Sequence, residues 1–130
     1  IADDYRDRND FTLEKIVEAY SISEDELLEM KRFADEVGID CTSTPFNKKE
    51  ADFLVDKMDT PFIKVASMDL NNYPFLEYLA KKDKPIIIKG CSKKPVPQNA
   101  YIMLATKLKP VAKSIMFGEA CSTVPLFKRK

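Results

Sequence analysis

Histidine is absent from the 130 residues, and that absence excludes more chemistry than any motif present implies. No Ser-His or Cys-His nucleophile can be assembled within the chain, and the commonest general base and transition-metal ligand are missing. Cysteine is scarce as well. Cys41, Cys91 and Cys121 are odd in number, far apart and without the paired spacing of a zinc site or a CxxC redox motif, so they read as reduced thiols of a cytoplasmic protein. No apolar run approaches the length of a membrane span. The start, Ile1 to Tyr5, lacks both an initiator methionine and the charged-then-apolar profile of a signal peptide. The sequence therefore reads as a soluble chain that begins partway through a longer protein, with no membrane partner. An excess of either charge is also lacking. Lys+Arg 21 balances Asp+Glu 21, and no basic stripe interleaves with aromatics, so no nucleic-acid partner is expected.

What is present is periodic. Leu13, Ile16, Val17 and Tyr20 recur at helical spacing. Ser23 to Glu26 form a capping box for a helix over residues 24 to 37, with Leu27, Met30, Phe33, Ala34 and Val37 on one face and Gly38 at the C-cap. Residues 39 to 43 read as a strand stopped by Pro45. Asn47 with Glu50 then starts a helix carrying Ala51, Leu54, Val55 and Met58. A second strand at 62 to 66 is followed by a helix opening at Asn71, Asn72 and Pro74 with Leu76, Leu79 and Ala80, and a third strand spans 85 to 88. Beyond Lys89 the regularity fails: prolines 95 and 97 mark a loop, and residues 99 to 109 read as a helix through Ile102, Ala105 and Leu108 ended by Pro110. Residues 111 to 117 suit a strand or a helical turn, and Phe127 to Lys130 form a basic end.

The helix-strand order repeats about every 22 to 24 residues, the β/α unit of a barrel or open sheet. A hydrophobic content of 45% supports one core, but the length falls well short of the roughly 250 residues of a complete barrel. The expected fold is therefore α/β, a partial (β/α) TIM-type barrel with parallel strands near 39 to 43, 62 to 66 and 85 to 88, their C-termini on one rim. Residues 1 to 92 would form this barrel segment and residues 93 to 130 a helical or irregular tail.

The strand at 62 to 66 places a lysine where both faces should be buried. Side chains alternate, so Phe62, Lys64 and Ala66 face one way and Ile63 and Val65 the other. A buried ammonium needs a partner, and Lys64 is read as facing the barrel interior to meet an anion, with Ser67 adding a neutral donor at the rim. The alternative is a structural ion pair for Lys64. Ser43 and Thr44 close the preceding strand on the same rim, although a hydroxyl before proline also serves ordinary turns. Asp69 is suited to orient a sugar hydroxyl, to act as acid or base, or to cap the turn into the next helix.

Ser43-Thr44-Pro45-Phe46, Phe62 to Ser67, Asp69 to Pro74 and Lys84 to Ile88 resemble, in order, spacing and identity, the N-acetylneuraminate (sialic acid) synthase family. The helix ending Phe33-Ala34-Asp35-Glu36-Val37-Gly38 fits it too, and the likeness covers about residues 21 to 88. The resemblance implies a barrel that condenses phosphoenolpyruvate with N-acetylmannosamine or its 6-phosphate and releases phosphate. It assigns Lys64, Ser67 and Thr44 to phosphoenolpyruvate and Asp69 to the sugar and the reacting carbons. It also implies a divalent metal, manganese or magnesium, polarising the sugar aldehyde.

The chain departs from that pattern after the third strand. The family continues with Ser-Thr-Gly-Met, whereas this chain has Lys89-Gly90-Cys91-Ser92; the family's metal-binding histidines have no counterpart, and residues 93 to 130 do not follow the barrel's later half. No metal site is supported by these residues alone. Two classes of function follow: part of a synthase, or a non-catalytic truncated or degenerate paralogue that keeps a phosphate-binding rim and associates with a partner. A homo-oligomer is the further expectation.

Overall fold

The computed structural model of the chain describes residues 12–89, 96–118 and 124–129. Helix α1 (Leu13–Tyr20) starts where the Thr12 hydroxyl accepts the Lys15 amide at 3.3 Å. Helix α2 (Glu24–Glu36) opens on the expected capping box: the Ser23 amide donates to Glu26 at 2.7 Å, and the Glu26 amide donates to the Ser23 hydroxyl at 3.3 Å. The Ser23 amide, and after it the Ser23 hydroxyl, which donates to the same carboxylate at 2.8 Å, hold the Glu26 carboxyl below its ordinary value.

The helix ends in a Schellman motif. The Ile39 amide reaches the Ala34 carbonyl at 2.9 Å and the Gly38 amide the Asp35 carbonyl at 3.1 Å, with Gly38 at φ +74°. A Cβ at Gly38 would meet nothing within 4 Å, so only the left-handed backbone opposes a side chain there. Gly38→Ala is therefore expected to destabilise the fold by about 1 kcal/mol, measured by urea unfolding. A neutral result would show that the motif is not held in the native state.

Residues 39 to 43 do not form the expected strand. Ile39 is 64% exposed, and residues 39 to 45 form no regular element and make no ladder hydrogen bonds among the described residues. Side-chain hydroxyls take the place of the ladder: Thr42 Oγ1 donates to the Phe62 carbonyl at 2.9 Å and lies 2.6 Å from Oγ1 of the buried Thr60. A carbonyl bonded by a threonine hydroxyl offers less to a neighbouring strand.

Helix α3 (Lys48–Asp52) starts at Asn47, whose side chain accepts the Glu50 amide at 2.9 Å, and widens into a π-helical turn (Phe53–Lys57) closed by the Met58 amide on the Phe53 carbonyl. Ala51, Leu54 and Met58 are buried as their spacing predicts.

Strands β1 (Ile63–Lys64), β2 (Pro85–Ile88), β3 (Ser114–Phe117) and β4 (Val124–Lys128) form one open sheet in that order. β1, β2 and β3 pair in parallel, whereas β4 runs antiparallel to β3 with a bulge between Ile115 and Met116. The basic end read from the sequence thus overlaps the edge strand β4 at Phe127 and Lys128. Residues 93 to 130, set apart in the sequence, supply β3, β4 and helix α5 (Gln98–Leu108) to the same sheet.

One face of the sheet carries the core. Ile63, Val65, Ile86, Ile88 and Ile115 cluster with Phe75, Leu76 and Leu79 of α4 (Tyr73–Ala80) and with Leu104 and Leu108 of α5. On α5 the expected inward Ile102 is 67% exposed, and Leu104 takes the core position instead. The opposite face receives Lys64, Ile87 and Met116, which pair in register across the three parallel strands.

Candidate functional site

β1 delivers its side chains as the alternation dictates. Ile63 and Val65 enter the core, so Lys64 between them points to the other face, beside Ile87 and half-buried. Among the described residues no carboxylate pairs with Lys64, so the structural ion pair that would explain this ammonium is not found there. After the buried Ala66 the chain makes a single 3₁₀ turn, Ser67–Asp69. Ser67 is exposed and opens to solvent three residues beyond Lys64. The Asp69 amide donates to the Ala66 carbonyl at 3.0 Å, and the Asp69 carboxylate accepts Asn72 Nδ2 at 3.2 Å. Asp69 thus holds the turn that leads into α4, and its second carboxylate oxygen has no hydrogen-bond partner among the described residues.

Among the described residues no cavity brings the four candidates together. Thr44 lines a cavity of about 220 Å³ with Ser43, Pro45, Ile22, Leu27 and Leu54. Ser67 lines a separate cleft of about 410 Å³ with Asn71, Tyr73, Tyr101 and Met103, while Lys64 lines neither. The α5 side of the larger cleft was not read from the sequence as part of any site. Its signal is aromatic: Tyr101 meets Phe117 edge to face at 4.8 Å, and Lys107 Nζ sits 3.8 Å from the Tyr73 ring centre. Gly90, Cys91 and Ser92, where the chain departs from the synthase pattern, lie outside the described residues, as does Cys121; Lys89 is half-buried and Cys41 is a free thiol.

The best-connected polar cluster lies elsewhere and joins α3 to α4. Tyr78 Oη donates to Asp52, which also pairs with Lys82, while Lys48 and Lys82 lie over the Tyr78 ring at 5.1 and 4.9 Å. The Lys82 hydrogen bond, and after it the Tyr78 hydroxyl, hold the Asp52 carboxyl below its ordinary value, and Asp52 in turn raises both Tyr78 and Lys82. Its members satisfy one another, which marks it as a brace. Among the described residues no three His, Cys, Asp or Glu side chains converge. Their donor set does not fit the divalent ion that the resemblance implies.

Known proteins resemble this arrangement at two levels. Human N-acetylneuraminate-9-phosphate synthase is 34% identical over 105 residues, covering 80% of this chain and 28% of that protein. The uncharacterized protein MJ1065 of Methanocaldococcus jannaschii is 42% identical over 74 residues, 57% of this chain and 22% of its own length. A match of 105 residues cannot fit within residues 21 to 88, so the likeness to the synthase extends beyond the stretch marked by motifs. In three dimensions the fold resembles the crystal structure of a protein assigned to spore coat polysaccharide biosynthesis, protein E of Chromobacterium violaceum, with a TM-score of 0.62 at 20% identity over 82% of this chain and 30% of that one. The chain thus spans about a quarter of the length of these curated relatives. Residues 55–129 match the family model described as Protein of unknown function (DUF2480). With more than half of its residues inside that model, and a sequence similar to N-acetylneuraminate-9-phosphate synthases, the chain belongs to the DUF2480 family.

Proposed function

We propose that this sialic acid synthase-like domain holds phosphoenolpyruvate at the end of β1, as part of a (β/α) barrel that condenses it with N-acetylmannosamine or its 6-phosphate. The observation that carries the reading is Lys64: a half-buried lysine on the face away from the core, with no carboxylate paired to it among the described residues. An ammonium in that setting is poised for a phosphate or carboxylate. Ser67 would add a hydroxyl from the same rim, and Thr44 another from the segment tied to β1 through Thr42. Asp69 would turn its uncommitted oxygen toward the sugar. The divalent manganese or magnesium of such a condensation would draw its ligands from outside the described residues, since these offer no converging donors.

A second reading, a non-catalytic remnant that retains the anion site, is favoured by a specific observation: Thr44 and Ser67 open to different cavities. Calorimetric titration with phosphoenolpyruvate tests what both readings share. Weak binding that fades as ionic strength rises is the expected result, and no heat at low salt would count against the anion site. Phosphate release in the presence of N-acetylmannosamine and manganese separates the two readings. The isolated chain is expected to release none, because the sugar-positioning and metal-binding parts of a full barrel are not among its recognised residues.

A further inference from the structure

Two stretches of the exposed apolar surface lie among charges of opposite sign. On α2, Met30, Phe33 and Val37 lie on one helical face and are 53%, 65% and 51% exposed. Glu29 and Glu36 border that stripe and have no ion pair among the described residues. Residues 14 to 36 carry eight acidic side chains against three basic ones. A groove of about 250 Å³ runs between α5 and β4, lined by Ile102, Ala105, Thr106, Lys109, Leu126 and Phe127. Lys109 Nζ stands 5.6 Å from the Phe127 ring centre, and Lys128 is exposed beside it in sequence. Residues 98 to 129 carry five basic side chains and one acidic one, Glu119.

We propose that the acidic apolar stripe of one copy docks in the basic apolar groove of another, so that the chain associates head to tail with itself. Each surface supplies what the other lacks. The stripe offers a protruding Phe33 flanked by carboxylates, and the groove offers apolar walls flanked by ammonium groups. Both lie on one chain of zero formal net charge, so long-range repulsion between copies is small. Because the two patches differ, the contact is heterologous, and it propagates unless the rotation between copies happens to close a ring.

Sedimentation of the 130-residue chain at low salt tests the assembly. The weight-average mass is expected to rise with concentration and to fall as salt is added. A monomer at every concentration, as when some other partner covers the stripe, would overturn the proposal; so would a closed two-fold dimer. Charge reversal supplies the second arm. Glu29→Lys with Glu36→Lys, and separately Lys109→Glu with Lys128→Glu, should each weaken association about tenfold or more, since both patches of each variant then carry like charge. Mixing the two variants in equal amounts should restore association, because every stripe again meets a groove of opposite sign. All substituted positions are exposed and the far-ultraviolet spectra should not change. Variants that associate like the parent chain, or a mixture that stays monomeric, would refute the contact.

Discussion

Lys64→Met is expected to abolish phosphoenolpyruvate binding while leaving the melting temperature unchanged or slightly raised. The two readouts separate an anion ligand from a structural lysine. A lysine in a buried ion pair leaves an orphaned carboxylate when removed, at a cost of about 3 to 5 kcal/mol. No such carboxylate pairs with Lys64 among the described residues, and its registered neighbour Ile87 is 4% exposed. Methionine keeps the stem that packs along β1 and removes only the charge. Calorimetry and thermal unfolding on the same preparation check both halves. Unchanged affinity would remove Lys64 from the site, and a loss of several kcal/mol would reveal an ion pair.

Leu76→Ala should cost about 2 to 5 kcal/mol of folding stability, a large share of the roughly 5 to 15 kcal/mol available to a typical domain. Leu76 is fully buried, in a cluster that joins α4, α5 and the sheet, so its neighbours on three elements lose contacts together. The matching control is Ile102→Ala. Ile102 is 67% exposed, and its loss should change stability by less than about 0.5 kcal/mol. Urea midpoints for the two variants give the comparison. Equal effects would mean that the cluster is not the core.

Local chemistry made much of this fold legible in the sequence. The capping box at Ser23 and Glu26, the left-handed Gly38 and the β-branched run Ile86 to Ile88 each depend on residues a few positions apart, and each appears as expected. The facing of Lys64 was legible for the same reason, because alternation needs only its two neighbours. Features that depend on distant partners were not. The strand expected at 39 to 43 is displaced by hydroxyl bonds from Thr42 and Thr60 to the Phe62 carbonyl, a contact across 20 residues in the case of Thr42. β4 carries Pro125 and ends on Lys128, residues suited to an edge strand but equally to a tail. Ile102 has the right helical spacing for the core, and only the position of β4 gives it a different neighbour in the groove with Leu126 and Phe127. The same limit applies to the site: Thr44 and Ser67 read as one rim, yet the placement of residues 39 to 45 sends them to separate cavities.

The single antiparallel pair at the sheet's end also sets an order of assembly. Phe117 meets Val124 after seven residues, whereas Lys64 must wait 23 residues for Ile87, and Ile87 a further 29 for Met116. Loop-closure entropy makes the β1–β2 contact about 1 kcal/mol harder to initiate than the β3–β4 hairpin. Synthesis runs the other way: β1 leaves the ribosome first, with both of its polar edges unpaired until β2 follows. Of these four strands β1 is made first and stays unpaired over the 23 residues to Ile87, and for that interval Ile63 and the adjoining Val65 are apolar groups in need of shelter.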